Sequence, residues 1–196
     1  MKVVFDLGNV VLDWNTNKIL DSLNVSQVDR ELLKNRLFEH QDWLDMDHGI
    51  MSEQSVVTRV SKATNLETNI VEQALLTAKR SLLPIAQSIE LMNDFHKAKI
   101  AMYCLSNMSV ETYDFVKEQK FFSLFSGIVI SGHEKCMKPD TKIFEILLNR
   151  YKLLPSETFF IDDSLPNIKA SEKLGMSGHH FKRTEDCYSK IRTHLL

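Results

Sequence analysis

A chain of 196 residues with 43% hydrophobic content can bury a full core and carry one smaller appendage, so a folded globular protein is expected. Its 24 basic and 26 acidic residues leave a formal net charge of -2, which gives no electrostatic footprint for nucleic acid or an anionic membrane surface and favours a small-molecule partner. The three cysteines, Cys104, Cys136 and Cys187, are odd in number and lack C-x-x-C spacing, which argues against a disulfide framework and a zinc knuckle and fits a reducing cytoplasm.

The first predicted element is a strand at Val3 to Phe5, preceded by no apolar stretch of signal-peptide form. A long segment then runs from Trp14 to about Leu82 without a convincing strand, but with polar-rich helical stretches at Arg30 to Phe38 and Ser52 to Ala63. Ser52, with Glu53 and Gln54 in the first turn and Gly49 just before it, has the chemistry of a helix start, and Pro84 marks the return to the sheet. Ile85, Ile89, Met92 and Phe95 then fall at helical spacing, as do Ile143, Phe144, Leu147 and Leu148 further on.

Further strands are expected at Ile100 to Leu105, Gly127 to Ile130 and Thr158 to Ile161, with an edge strand near Gly178 to Phe181. Each is nearly continuously apolar rather than alternating, as in a parallel sheet covered by helices on both faces. The expected fold class is α/β: a Rossmann-like three-layer core of residues 1–14 and 82–196, with a small helical cap of residues 15–81 inserted after the first strand. No segment approaches the roughly twenty apolar residues of a membrane span, so no membrane partner is expected.

In such a sheet, ligands gather at the carboxyl ends of the strands. Asp6 follows the first strand, Ser106 and Asn107 the second, a loop leading to Lys138-Pro139-Asp140 the third, and Asp162-Asp163 the fourth. Carboxylates from separate strand ends, a hydroxyl with an amide, and a lysine are the parts of a metal-assisted phosphoryl-transfer site.

Those stations, in that order, resemble the haloacid dehalogenase superfamily of aspartyl phosphohydrolases over nearly the whole chain. Phe5-Asp6-Leu7-Gly8-Asn9-Val10 is similar to its first motif and Leu105-Ser106-Asn107 to its second. Lys138-Pro139-Asp140 with Phe144 is similar to the third, and Phe160-Ile161-Asp162-Asp163-Ser164 with Asn167 to the fourth. The resemblance implies a phosphatase acting on a small phosphorylated metabolite, with Asp6 as nucleophile and magnesium held by Asp6, the Gly8 carbonyl, Asp162 and Asp163. It also implies that Ser106 and Asn107 bind the phosphoryl oxygens and that Lys138 balances their charge. Asp-Leu-Gly-Asn-Val resembles a branch that includes a glucose 1-phosphate phosphatase, which makes a sugar phosphate one expected substrate.

Gly8 departs from the family pattern, because most of its phosphatases carry an aspartate there as general acid and base. Such assistance is worth on the order of a hundred- to ten-thousandfold in rate. A solvent chain, Asp13, or one of Asp45, Asp47 and His48 in the cap are the candidate substitutes, and a phosphate-binding protein without turnover is the alternative reading. Dehalogenase chemistry needs no metal, and the adjacent Asp162 and Asp163 argue against it. His179-His180 lack a third ligand at useful spacing; Cys104 and Trp43 are expected to be packing residues, with Trp14 and His48 near substrate.

Overall fold

In the computed structural model, which describes residues 1–196, the first apolar run forms β1 (Lys2–Phe5). The chain turns at once, because the N–H groups of Val10, Val11 and Leu12 all donate to the Leu7 carbonyl. Asn9 sits inside this turn at φ 55°, a left-handed conformation that asparagine tolerates better than most residues.

The segment that follows is wholly helical. It comprises α1 (Thr16–Asp21), α2 (Gln27–Leu33), α3 (Gln41–Asp47), α4 (Glu53–Thr64) and α5 (Thr68–Ser81). Asn15, Ser26 and Ser52 each accept from the backbone N–H three residues on, so their side chains satisfy donors that a helix start leaves free. The helix expected over Arg30 to Phe38 starts earlier, at Gln27, because Ser26 caps it. From Lys34 to Phe38 it widens to π-helical geometry, in which the N–H of residue i+5 reaches the carbonyl of residue i, as Glu39 does to Lys34, and Leu33, Leu37 and Phe38 are all buried. The insert packs round its own cluster, which includes Ile19, Leu33, Leu37, Val56 and Val71. Leu12 bridges Pro84, and Ile85 donates to Val11, so the insert leaves and rejoins the core at adjacent points.

The rest of the chain alternates between helices and strands. α6 (Ala86–Lys97), β2 (Met102–Ser106), α7 (Val110–Val116), β3 (Phe125–Ile130) and α8 (Ser131–Glu134) come first. They are followed by α9 (Thr141–Tyr151), β4 (Thr158–Asp162), α10 (Leu165–Lys173), β5 (Ser177–His180) and α11 (Glu185–Leu195). β2 starts after the expected Ile100, since the Ile100 N–H closes the end of α6 on the Phe95 carbonyl and Lys99 takes φ 58°.

The strands form one parallel sheet in the order β3-β2-β1-β4-β5, a Rossmann-like α/β arrangement. Successive side chains face opposite sides. Val3, Phe5, Cys104 and Ile161 meet Leu91 and Ile191 on one face, while Val4, Leu105 and Phe160 meet Phe144 and Ile168 on the other. Burial of each such large side chain is worth about 1.5–3 kcal/mol, which is why the strands read as unbroken apolar runs. β1 lies between β2 and β4, so the chain reverses its direction of travel across the sheet at β1, and a cleft opens there at the carboxyl ends. No helix is long and apolar enough to cross a membrane.

Candidate active site

Asp6 is carried at the end of β1, where its N–H donates to Ile161 of β4 at 2.9 Å. Asp162 ends β4 beside it and is fully buried. Between them lies Lys138, only 2% exposed, whose Nζ reaches Asp6 Oδ1 at 2.8 Å, Asp162 Oδ2 at 2.6 Å and the Leu105 carbonyl at 2.9 Å. The ammonium has three protons, and each has an acceptor. Burial alone would pull the Lys138 ammonium down, but the charges of Asp6 and Asp162 outweigh it and hold it above the ordinary lysine value.

Asp162 is held from every side. Asn167 Nδ2 lies 3.1 and 3.0 Å from its two oxygens, and the Ser164 N–H donates to Oδ1 at 2.8 Å. Asp163 is less constrained, since its side chain accepts from Asn9 Nδ2 at 3.3 Å. Carboxylate oxygens of Asp6, Asp162 and Asp163 all lie within 4.8 Å of one another. One lysine does not neutralise that group. Burial pushes Asp6 up to about 7 against the pull of Lys138, with Asp162 adding to the rise. Asp163 is raised by its own burial and then by Asp162.

Ser106 ends β2 and is buried. The Asn107 amide pairs both ways with the backbone of Lys138: the Lys138 N–H donates to Oδ1 at 2.8 Å, and Nδ2 donates to the Lys138 carbonyl at 2.9 Å. Its oxygen and one of its two amide N–H donors thereby fix the lysine loop, and Asn107 also lines the cavity beside Gly8. Asn9 was legible only as a motif position. Its bond to Asp163, and its acceptance of the Trp14 N–H at 3.3 Å, tie the first turn to the end of β4.

A Cβ built on Gly8 would meet nothing within 4 Å. The open space belongs to a cavity of about 140 Å³, with Trp14, Trp43, Leu82 and Met108 as apolar walls and Asp47 and Thr112 among its polar ones. Trp14 and Trp43 are braced at 5.3 Å between ring centroids, and Trp43 lies another 5.3 Å from Phe38.

Of the side chains expected as substitutes for the missing acid, Asp47 lines this cavity. Asp13 pairs with Arg183 at 2.6 Å, Asp45 accepts from Gln41, and His48 Nε2 meets the Lys135 carbonyl at 3.1 Å. His179 Nε2 lies 3.2 Å from Cys187 Sγ, and burial pushes the Cys104 thiol far up, so it is suited to packing and not to reaction.

The insert is seated on the core by close backbone contact. Gly49 takes φ 74°, and a Cβ there would come within 2.1 Å of the Gly132 carbonyl oxygen. Gly49→Ala should therefore lower the melting temperature by about 2–4 °C for each kcal/mol of strain and clash introduced. Thermal unfolding monitored by circular dichroism checks this, and an unshifted transition would contradict the contact.

A family model for haloacid dehalogenase-like hydrolases matches residues 3–175, and the chain belongs to that family of hydrolases. It is 26% identical over 178 residues to the sesquiterpene phosphatase astK of Aspergillus oryzae, covering 90% of this chain and 87% of that one. It is also 35% identical over 71 residues to mouse acyl-CoA dehydrogenase family member 10, a match that spans only 7% of that protein. Among solved structures, a HAD-like family hydrolase from Porphyromonas gingivalis superposes with a TM-score of 0.79 at 24% identity, covering 99% of this chain and 97% of that one. The HAD family enzyme bt-2542 of Bacteroides thetaiotaomicron, in complex with magnesium and inorganic phosphate, gives 0.78 at 22% identity over 94% and 96% of the two chains. At these identities the superpositions establish the fold.

Proposed function

We propose that the protein is a magnesium-dependent phosphomonoester hydrolase in which Asp6 is the nucleophile and an aspartyl-phosphate is the intermediate. The carrying observation is the group of Asp6, Asp162 and Asp163, three carboxylates within 4.8 Å of which the first two pair with one buried ammonium. That excess of negative charge on hard oxygen donors suits a divalent cation. Asp6, Asp163 and the Gly8 carbonyl, to which no backbone N–H donates, would hold it. The oxygens of Asp162 already serve Lys138, Asn167 and the Ser164 N–H, so Asp162 would contribute its charge and orient the lysine. Magnesium, when bound, offsets the repulsion between a carboxylate and a phosphate dianion.

Asp6 Oδ would attack phosphorus as the bond to the leaving oxygen breaks, and water would then displace Asp6 to release inorganic phosphate. Lys138 holds Asp6 towards its ionised form and would offset charge on the phosphoryl group through space, while the Ser106 hydroxyl and the Asn107 backbone would face its oxygens. In this reading residues 15–81 form a cap over the core of residues 1–14 and 82–196. The cavity beside Gly8 would receive the leaving group of a small phosphorylated metabolite. Its Trp14 and Trp43 walls suit a group with apolar C–H faces, and a sugar phosphate is the finer proposal. The three cysteines are free and buried, which fits a reducing cytoplasm.

The test is phosphate release from a panel of sugar phosphates, prenyl monophosphates and aryl phosphates. Turnover that disappears with a chelator and returns with magnesium is expected. Saturable binding of every phosphate in the panel with no release would replace the hydrolase with a phosphate-binding protein.

A further inference from the structure

We propose that Asp47, at the end of α3, supplies the proton that the missing side chain at Gly8 cannot. The proposal rests on the hydrolase reading above and adds the group that handles its leaving oxygen.

Placement carries the argument. Asp47 and Gly8 line the same cavity, and the position where a side chain at Gly8 would begin is open, with no heavy atom within 4 Å of its Cβ. A leaving oxygen can therefore sit between the end of β1 and an acid that arrives from the opposite wall. Three contacts fix that wall to the core. The Ser131 hydroxyl donates to the Asp47 carbonyl and itself accepts the Met108 N–H at 2.9 Å. His48 meets the Lys135 carbonyl, and Gly49 lies against Gly132. Asp47 and the two residues after it are thus anchored to the segment from Ser131 to Lys135, which fixes where the acid stands.

Its protonation suits the task. Burial pushes the Asp47 carboxyl up to about 7, against the pull of the Ser109 backbone N–H and the Trp43 indole, and the charge of Asp6 adds to the rise. A group with this affinity can give a proton in one step and take one in the next at neutral pH. Most other charges on the elements packed around it are engaged elsewhere. Arg59 of α4 pairs with Asp42, and Glu134 of α8 pairs with Arg150. His133 of α8 lies edge-on to the Tyr113 ring, while Lys135, whose backbone carbonyl meets His48, has no ion-pair partner.

The steps balance. As the Asp6–phosphorus bond forms and the ester oxygen departs, the Asp47 carboxylic acid transfers its proton to that oxygen and the alcohol leaves. The Asp47 carboxylate then takes a proton from water as the water oxygen bonds to phosphorus. The Asp6 oxygen departs from phosphorus, which frees phosphate and restores both carboxyls.

The experiment compares Asp47→Asn with the unsubstituted enzyme on alkyl and aryl phosphates in magnesium. For alkyl esters kcat/KM is expected to fall about a hundred- to ten-thousandfold. For 4-nitrophenyl phosphate, whose leaving group needs no proton, the loss is expected to be less than about tenfold, with a burst of nitrophenol as the second step slows. Adding Gly8→Asp to Asp47→Asn should restore alkyl turnover, since the space at Gly8 admits the side chain. Equal losses on both ester classes without rescue, or an unchanged dependence on leaving-group pKa, overturn the proposal. Absence of turnover by the unsubstituted enzyme on every ester would instead sink the hydrolase reading.

A second readout does not depend on turnover. Because the folded Asp47 titrates near 7 and the unfolded one near 3.8, its contribution to stability is fully present below pH 3.8 and is lost as pH rises through 7. Asparagine does not titrate. The melting temperature of Asp47→Asn, relative to the unsubstituted protein, should therefore climb between pH 5 and 8. A flat difference would place the carboxyl in water and overturn the proposal, even if the variant were inactive for other reasons.

Discussion

Asp6→Asn is expected to abolish magnesium-dependent phosphate release, with a loss of roughly 10⁶-fold, the scale seen when a nucleophile is removed from an otherwise intact site. The fold should survive, because asparagine has the same shape and Lys138 keeps its 2.6 Å contact with Asp162 and its 2.9 Å contact with the Leu105 carbonyl. Beryllium trifluoride, a mimic of the phosphorylated carboxylate, separates a lost nucleophile from lost substrate binding. It should stabilise the unsubstituted protein in magnesium and leave Asp6→Asn unshifted. Magnesium itself should still raise the melting temperature of the variant, though less, since Asp163 and the Gly8 carbonyl remain. Turnover by Asp6→Asn at an undiminished rate would remove Asp6 from the reaction and the aspartyl-phosphate with it.

The positions of the residues proposed for that chemistry were legible because strand ends are easy to find when both faces of a sheet are buried. Val3 to Phe5 and Thr158 to Ile161 could hardly be anything but covered strands, and Asp6 and Asp162 stand at or just past their ends. Ser52 was equally legible, since its cap is a contact within four residues. Less local features were not. Whether Ile100 belonged to the strand depended on Lys99 adopting a left-handed turn, which the sequence does not favour over glycine.

Nothing near Asn107 signals that its amide will pair with a loop on the far side of β3. Choosing among Asp45, Asp47 and His48 required knowing which side of α3 faces the sheet. That orientation comes from the meeting of Gly49 with Gly132, two residues that lie far apart in sequence and have no side chain to announce the contact. The cavity beside Gly8 is illegible for the same reason, because the insert contributes Trp43 and Asp47 while the core contributes Gly8 and Met108.

Lys138→Met has the second large expected effect, and it falls on stability as well as on turnover. Methionine keeps most of the length and removes the charge, so Asp6 and the fully buried Asp162 lose the cation that joins them. Breaking a buried ion pair from one side costs about 3–5 kcal/mol, a large part of the 5–15 kcal/mol that holds a typical domain together. For a protein of this size the melting temperature should fall by roughly 6–20 °C in metal-free buffer. Magnesium brings a replacement charge to the same cluster, so its stabilising shift should be larger in Lys138→Met than in the unsubstituted protein. Activity should not recover in parallel. The ion would restore charge balance among the carboxylates, but the positive charge proposed to offset that of the transferring phosphoryl group would still be missing, a loss worth about 10²–10³-fold in kcat. A variant that melts like the original in metal-free buffer would show that Asp6 and Asp162 do not depend on Lys138 for their charge. A magnesium shift no greater than that of the unsubstituted protein would show that the lysine and the metal do not act on the same carboxylates.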